Sequence, residues 1–182
     1  LPKGGPVDPK PKGFNWPAPP YAIYGTEPWS EPQKCELEGL NGTLRRCTLL
    51  SITPAEQTIL IQLHNSKAAV PVAFSQFRRL TLRKPIRPQE MVSTEQFADI
   101  MGYRATVQYR LELENGSIST GFTVGYVETH FGLFLFTPQD DQGTVERVFV
   151  PRDAFLSVNL GDQLGQMLVE QQAVTAQQVE LA

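Results

Sequence analysis

Five cations crowd one short stretch of this chain: Arg78, Arg79, Arg83, Lys84 and Arg87. Guanidinium forks match phosphate and carboxylate oxygens, so such a cluster reads as an anion site, for a nucleotide phosphate or an acidic partner. Charge on a solvated strand edge, which keeps sheets of different molecules apart, accounts for the same residues without a ligand. Other chemistry is sparse. Asp140 and Asp141 sit in Pro138-Gln139-Asp140-Asp141-Gln142-Gly143, a loop by composition, and no third ligand stands near them to make a metal or acid–base site. His64 and His130 are the only histidines, and neither has a cysteine or second histidine at ligand spacing. The phosphate cradle Gly-x4-Gly-Lys-Ser/Thr is absent from the sequence, and no motif places a Ser-His-Asp or Cys-His set. These residues point to binding rather than catalysis.

The elements that must position the cations are strands. Ala105, Val107, Tyr109, Leu111 and Leu113 alternate with Thr106, Gln108, Arg110 and Glu112, the period of a strand with one buried face. Asn115-Gly116 follows, and beyond it Ile118, Phe122, Val124 and Tyr126 alternate with polar or small residues. Taken as a two-residue type I′ turn, Asn115-Gly116 sets Leu113 opposite Ile118, Leu111 opposite Thr120, Tyr109 opposite Phe122 and Val107 opposite Val124, all on one apolar face. Phe131 to Phe136 is apolar on both faces and reads as a central strand.

The same plan occurs earlier. Leu37, Asn41, Gly42, Thr43 and Leu44 stand 74 positions before Leu111, Asn115, Gly116, Ser117 and Ile118, and Ile59-Leu60-Ile61 falls on Leu133-Phe134-Leu135 at the same offset. Val70 to Phe77 then echoes Val148 to Phe155. Ordered agreement of turn, central strand and closing strand marks an internal repeat. The expected fold is mainly β: two tandem small antiparallel β-barrels, SH3-like, followed by a short helical segment. A Pro-rich arm covers 1–33, the first barrel 34–83, a linker with a short helix 84–104, the second barrel 105–158 and the start of a helical module 159–182. The rings of the arm (Phe14, Trp16, Tyr21, Tyr24, Trp29) are expected to pack back onto the first barrel.

With 182 residues and a net charge of −3, bulk attraction to nucleic acid or anionic lipid is disfavoured. No stretch has the length of a membrane span and no leader peptide is visible in the sequence. On the two-residue hairpin, Cys47 faces Glu36, so the sulfurs of Cys35 and Cys47 should point to opposite faces as free thiols, in keeping with a cytoplasmic protein. The chain starts at Leu1 and its last helical pattern runs into Ala182, so the sequence reads as part of a longer protein.

That last pattern carries a resemblance. Leu164-Gly165-Gln166-Met167-Leu168-Val169-Glu170-Gln171, then Val174-Thr175, Gln178-Val179 and Ala182, resembles the opening of the N-terminal domain of type II secretion and type IV pilus assembly ATPases. In some members of that family, the MshEN type, this module binds cyclic di-GMP. Gln163 stands where the family has an arginine and Gln172 where it has a glycine; Leu164, Gly165 and Leu168 match. A second resemblance is to PilZ domains, which carry Arg-x3-Arg ahead of a barrel bearing Asp/Asn-x-Ser-x2-Gly. Arg79 to Arg83 and Arg83 to Arg87 satisfy the first half, whereas Gly121 comes one residue late after Asn115-x-Ser117 and Val127-x-Thr129-x2-Gly132 lacks the acid or amide.

Together these resemblances imply a non-enzymatic regulatory and docking region of a secretion or pilus ATPase, in the cytoplasm at the inner-membrane platform. Its expected partners are assembly subunits, a further copy in the full-length context, and cyclic di-GMP. If a nucleotide binds, Arg78, Arg79, Arg83 and Arg87 hold its phosphates, with Gln163, Leu164, Gly165 and Leu168 as the tail's contribution. The reading from a different class is a stand-alone small-barrel nucleic-acid-binding protein using Arg78 to Arg87.

Overall fold

The two Asn-Gly turns decide the register of the strands around them. The computed structural model describes residues 14–21, 24–25, 29–89 and 106–160. In it β1 (Gln33–Gly39) turns into β2 (Leu44–Thr53), and β6 (Thr106–Leu113) into β7 (Ile118–Val124). Each loop has three residues, Leu40-Asn41-Gly42 and Glu114-Asn115-Gly116, not the two expected. Gly39 N–H donates to Thr43 O at 2.9 Å and Gly42 N–H to Gly39 O at 3.0 Å; Leu113 N–H and Gly116 N–H make the equivalent bonds at 2.8 Å. Within these loops only the glycines have positive φ, +84° at Gly42 and +87° at Gly116. This is a type I turn closed by a G1 bulge, which accepts an ordinary φ at asparagine. Each asparagine Oδ1 accepts the backbone N–H two residues on, from Thr43 at 3.0 Å and from Ser117 at 2.9 Å.

One extra loop residue slips the register by one and turns the second strand over. Glu112, not Leu113, stands opposite Ile118, and Gln108, not Tyr109, opposite Phe122. Ile118 and Phe122 are therefore exposed rather than core, whereas Tyr109, Leu111, Leu113 and Val124 are buried as expected. In the first hairpin the same slip sets Cys35 directly opposite Cys47. Their sulfurs lie 3.3 Å apart on one face, which overturns the expectation that they diverge.

Two copies of one chain path follow. In the first, β1 and β2 continue into β3 (Thr58–Leu63) and β4 (Ala69–Ala73), a 3-10 turn at Phe74–Gln76, and β5 (Phe77–Ile86), which returns to pair with β1. In the second, β6 and β7 lead through Gly125 to β8 (Tyr126–Thr129), then β9 (Gly132–Pro138), β10 (Val145–Pro151), a 3-10 turn at Arg152–Ala154, and β11 (Phe155–Leu160), which pairs with β6. The rungs correspond: Leu60 opposes Pro71 as Phe134 opposes Phe149.

The expected pair of closed barrels is not what forms. β5 pairs β1 on one edge and β10 on the other, so the copies merge into an eight-stranded sheet of order β4-β3-β2-β1-β5-β10-β9-β8. β11, β6 and β7 make a separate three-stranded sheet. All pairs are antiparallel, and neither sheet closes on itself among the described residues. The open edge at β4 is blunted: Pro71 has no N–H to offer and the Ala73 N–H donates to Gln76 Oε1 at 2.9 Å.

β9 and β10 are buried on both faces, which is why 131–136 reads as continuously apolar. Phe134, Phe136 and Phe149 join Cys35, Leu37, Leu80, Leu82 and Phe74 in one core. Leu133, Leu135, Val148 and Val150 pack instead against Tyr109, Leu111 and Phe155 of the smaller sheet. The arm does pack back, but onto the second copy as much as the first: Trp16 lies edge-on to Phe134 at 5.2 Å, and Tyr24 Oη donates to Gly143 O at 2.7 Å. The expected helix near residues 93–101 and the helical tail lie outside the described residues.

Candidate anion-binding cleft

Alternation along β5 disperses the arginines that the sequence groups. Arg78 is the extra residue of a bulge between Glu38 and Gly39, and its guanidinium donates to Leu40 O at 2.8 Å while contacting Glu38 at 3.4 Å. Arg79 points to the smaller sheet, where its Nη2 donates to Ser119 Oγ at 2.9 Å. Arg83 lies 3.9 Å from the Glu36 carboxylate, half-exposed. Arg87 stands past the end of the strand, exposed. Four guanidiniums within ten positions thus serve four surroundings, and Arg78 and Arg83 already face carboxylates. Gln163, Leu164, Gly165 and Leu168 lie outside the described residues.

A different set converges. Where the arm crosses the β5–β10 seam, a cleft of about 580 Å³ is lined by Trp16, Tyr24, Lys84, Arg87 and Arg147, with prolines at its rim. Lys84 comes from the end of β5 and Arg87 from just past it. Arg147 comes from β10, opposite Leu82, and its Nη2 donates to the Lys84 carbonyl at 3.2 Å. Arg147 is 9% exposed, so its charge sits where water screens it least. It escapes a cluster-based reading because it stands alone in Val145 to Val150. The available signal is the anomaly itself, a cation leading straight into the apolar run Val148-Phe149-Val150.

The electrostatics of the walls are mixed. Burial pushes the Tyr24 phenol up to about 12, with the Asp140 charge adding to the effect. Asp140 is held below the usual carboxylate range by hydrogen bonds from Thr144 and Gln142, and Arg87 lowers it further. A fixed negative charge therefore stands near one of the three cations. On the other face of the sheet Glu146 is raised, first by burial and then by Glu36, with Arg83 opposing.

The cleft brings positive charge and hydrogen-bond donors of Lys84, Arg87 and Arg147 together, an arrangement suited to holding an anion. Asp140 and Asp141 form the exposed end of the β9–β10 loop, and Asp140 Oδ1 accepts the N–H groups of Gln142 and Thr144 as a turn residue does. Among the described residues no group of three His, Cys, Asp or Glu side chains could hold a metal ion, and no helix is long and apolar enough to cross a membrane. No family model, curated protein or solved structure matches this chain.

Proposed function

We propose that this chain is a non-catalytic regulatory and docking region of a bacterial secretion or pilus assembly ATPase. On this reading the two meanders, joined edge to edge in one open sheet, work in the cytoplasm against assembly subunits at the inner-membrane platform. The anionic ligand is cyclic di-GMP, held at the seam by Lys84, Arg87 and Arg147 rather than by Arg78, Arg79 and Arg83. One observation supports the site: Lys84, Arg87 and Arg147, from two neighbouring strands, line a single cleft of about 580 Å³. The resemblance of 164–182 supports the context.

Calorimetric titration of cyclic di-GMP tests the site. Arg87→Ala should weaken binding about 10- to 100-fold, since a charge-assisted contact contributes roughly 1.5–3 kcal/mol. Arg78→Ala should leave affinity within about twofold, because that guanidinium is occupied by Glu38 and Leu40. No binding by the unaltered chain, or equal loss in both variants, would remove the assignment.

A further inference from the structure

Cys35 and Cys47 are the only cysteines of the chain, and the three-residue turn places them on the same rung of the β1–β2 hairpin. Both are buried, Cys35 fully and Cys47 with 7% exposed, and their sulfurs are 3.3 Å apart. A disulfide needs about 2.05 Å between sulfurs and Cα atoms about 4.4–6.8 Å apart, which opposed antiparallel positions satisfy. Only a small approach of the side chains separates this pair from a bond.

The rung also lies next to exposed strand. Cys47 opposes Leu63, the last residue of β3, so β2 runs on beyond its neighbour there. Around that end lies an open cleft of about 510 Å³ lined by Arg45, Arg46, Leu63 and His64. Arg45 and Cys47, two residues apart on one strand, share a face. Two arginines immediately before the more accessible thiol favour an anionic reagent over a neutral one.

We propose that Cys35 and Cys47 form a reversible dithiol–disulfide pair, oxidised through the Arg45–Arg46 cleft by an anionic low-molecular-weight disulfide of the glutathione class. Cys47 attacks first, as a thiolate: one oxidant sulfur becomes bonded to Cys47 and the other leaves as a thiol. Cys35, having lost its proton, then attacks the Cys47 sulfur and expels the second thiol. The protein gives up two electrons and two protons, and the oxidant disulfide becomes two thiols. Either sulfur can donate to the other across 3.3 Å, and donation by the Cys35 thiol favours the Cys47 thiolate against the opposing effect of burial. Closing the bond cross-links the first copy at the rung where β1 also meets Leu82 of β5.

The test equilibrates the native chain with graded ratios of reduced to oxidised glutathione, quenches by alkylation and reads intact mass. The expected product is monomeric, lacks two hydrogens, takes no alkyl groups and carries no retained glutathione. Its Tm should rise by roughly 5–10 °C over the reduced chain. Arg45→Ala with Arg46→Ala should slow oxidation by glutathione disulfide about three- to tenfold while leaving oxidation by the uncharged linear disulfide of 2-mercaptoethanol unchanged. Cys35→Ser should accumulate a glutathione adduct at Cys47; the mass of the unaltered chain decides the matter if that variant does not fold. Two alkylatable thiols at excess oxidant, a stable mixed disulfide in the unaltered chain, or a cross-linked dimer would overturn the pair. Equal slowing with both oxidants would overturn the role of the arginine cleft.

Discussion

β4 and β10 occupy the same place in their two copies and meet opposite fates. Val70, Pro71 and Val72 oppose Ile61, Leu60 and Ile59 just as Val148, Phe149 and Val150 oppose Leu135, Phe134 and Leu133. Yet β4 is the exposed edge of the sheet and β10 is buried along nearly its whole length. The difference is one neighbour: β10 has β5 on its second edge, and β4 has no second neighbour among the described residues. Side-chain choice follows, with a blunting proline where there is no partner and a phenylalanine where there is one. A repeated chain path thus specifies pairing within each copy, while the contact between copies decides which strand becomes core.

The most severe way to break the comparison is at that equivalent position. Phe149 meets Phe134 at 4.9 Å and Phe74 at 5.2 Å, and Trp16, Phe77 and Phe131 surround it further out. Phe149→Ala should cost about 3–5 kcal/mol. Pro71→Ala, at the edge, should cost under about 1 kcal/mol. Chemical denaturation followed by tryptophan fluorescence and far-ultraviolet circular dichroism gives both numbers. The two signals should also move together, because the phenylalanine core spans both copies; separate transitions would mean that the copies unfold independently.

A second break lies at the cysteine rung. Its counterpart in the second copy, 74 residues on, is Tyr109 opposite Gly121. A Cβ at Gly121 would fall 2.6 Å from the Tyr109 hydroxyl and 2.8 Å from its ring, and that ring is buried. One copy fills the rung with two small sulfur side chains, the other with one large ring over a bare backbone. Gly121→Ala should cost about 1–3 kcal/mol. Adding Tyr109→Leu should recover part of the loss, and a double-mutant cycle in urea measures how much. Additive costs would show that the ring does not occupy that space.

The sequence was most legible where a pattern answers to backbone period alone. Alternation located β6, the apolar run located β9, and the 74-residue offset located corresponding turns and strands. Asn-Gly identified both hairpins but not their loop length, and that single residue misplaced Ile118, Phe122 and the cysteine pair together. Nothing in Asn-Gly itself separates the two loop types, since either needs a glycine at positive φ. The strand-to-strand contact of β5 with β10 was illegible for a different reason: pairing between copies leaves no local period. So was the cleft, because Arg147 stands 63 positions from Lys84 on a strand that only the seam brings alongside.

The arm distinguishes the copies a third time, through Tyr24. Its hydroxyl bonds the Gly143 carbonyl in the β9–β10 loop, where the shorter β3–β4 loop receives no such contact from the described arm residues. Tyr24→Phe should cost about 1 kcal/mol at neutral pH. The folded phenol keeps its proton to about 12 against an ordinary value of 10.0, so its contribution is whole below pH 10 and is lost as pH rises toward 12. Denaturation midpoints across that window should fall more gently in Tyr24→Phe than in the unaltered chain; parallel curves would mean that Tyr24 is not the group responsible.

The smallest effect sharpens the comparison instead of breaking it. Gly42 and Gly116 hold φ of +84° and +87° at the same position of the same turn. An added Cβ would meet only the Arg78 guanidinium, at 4.0 Å, in the first case and nothing within 4 Å in the second. Space is therefore no obstacle at either site, and the cost of Gly→Ala is the strain of a left-handed backbone, about 1 kcal/mol. The two variants should lose equal stability within about 0.5 kcal/mol when unfolded in urea. If Gly116→Ala proved much cheaper, its hairpin would be slipping by one residue into a longer loop that frees position 116 from positive φ, with Ile118 and Phe122 turned inward. Protection of those side chains from solvent, read by aromatic fluorescence quenching at Phe122→Trp, would then distinguish a slipped strand from a merely tolerant turn.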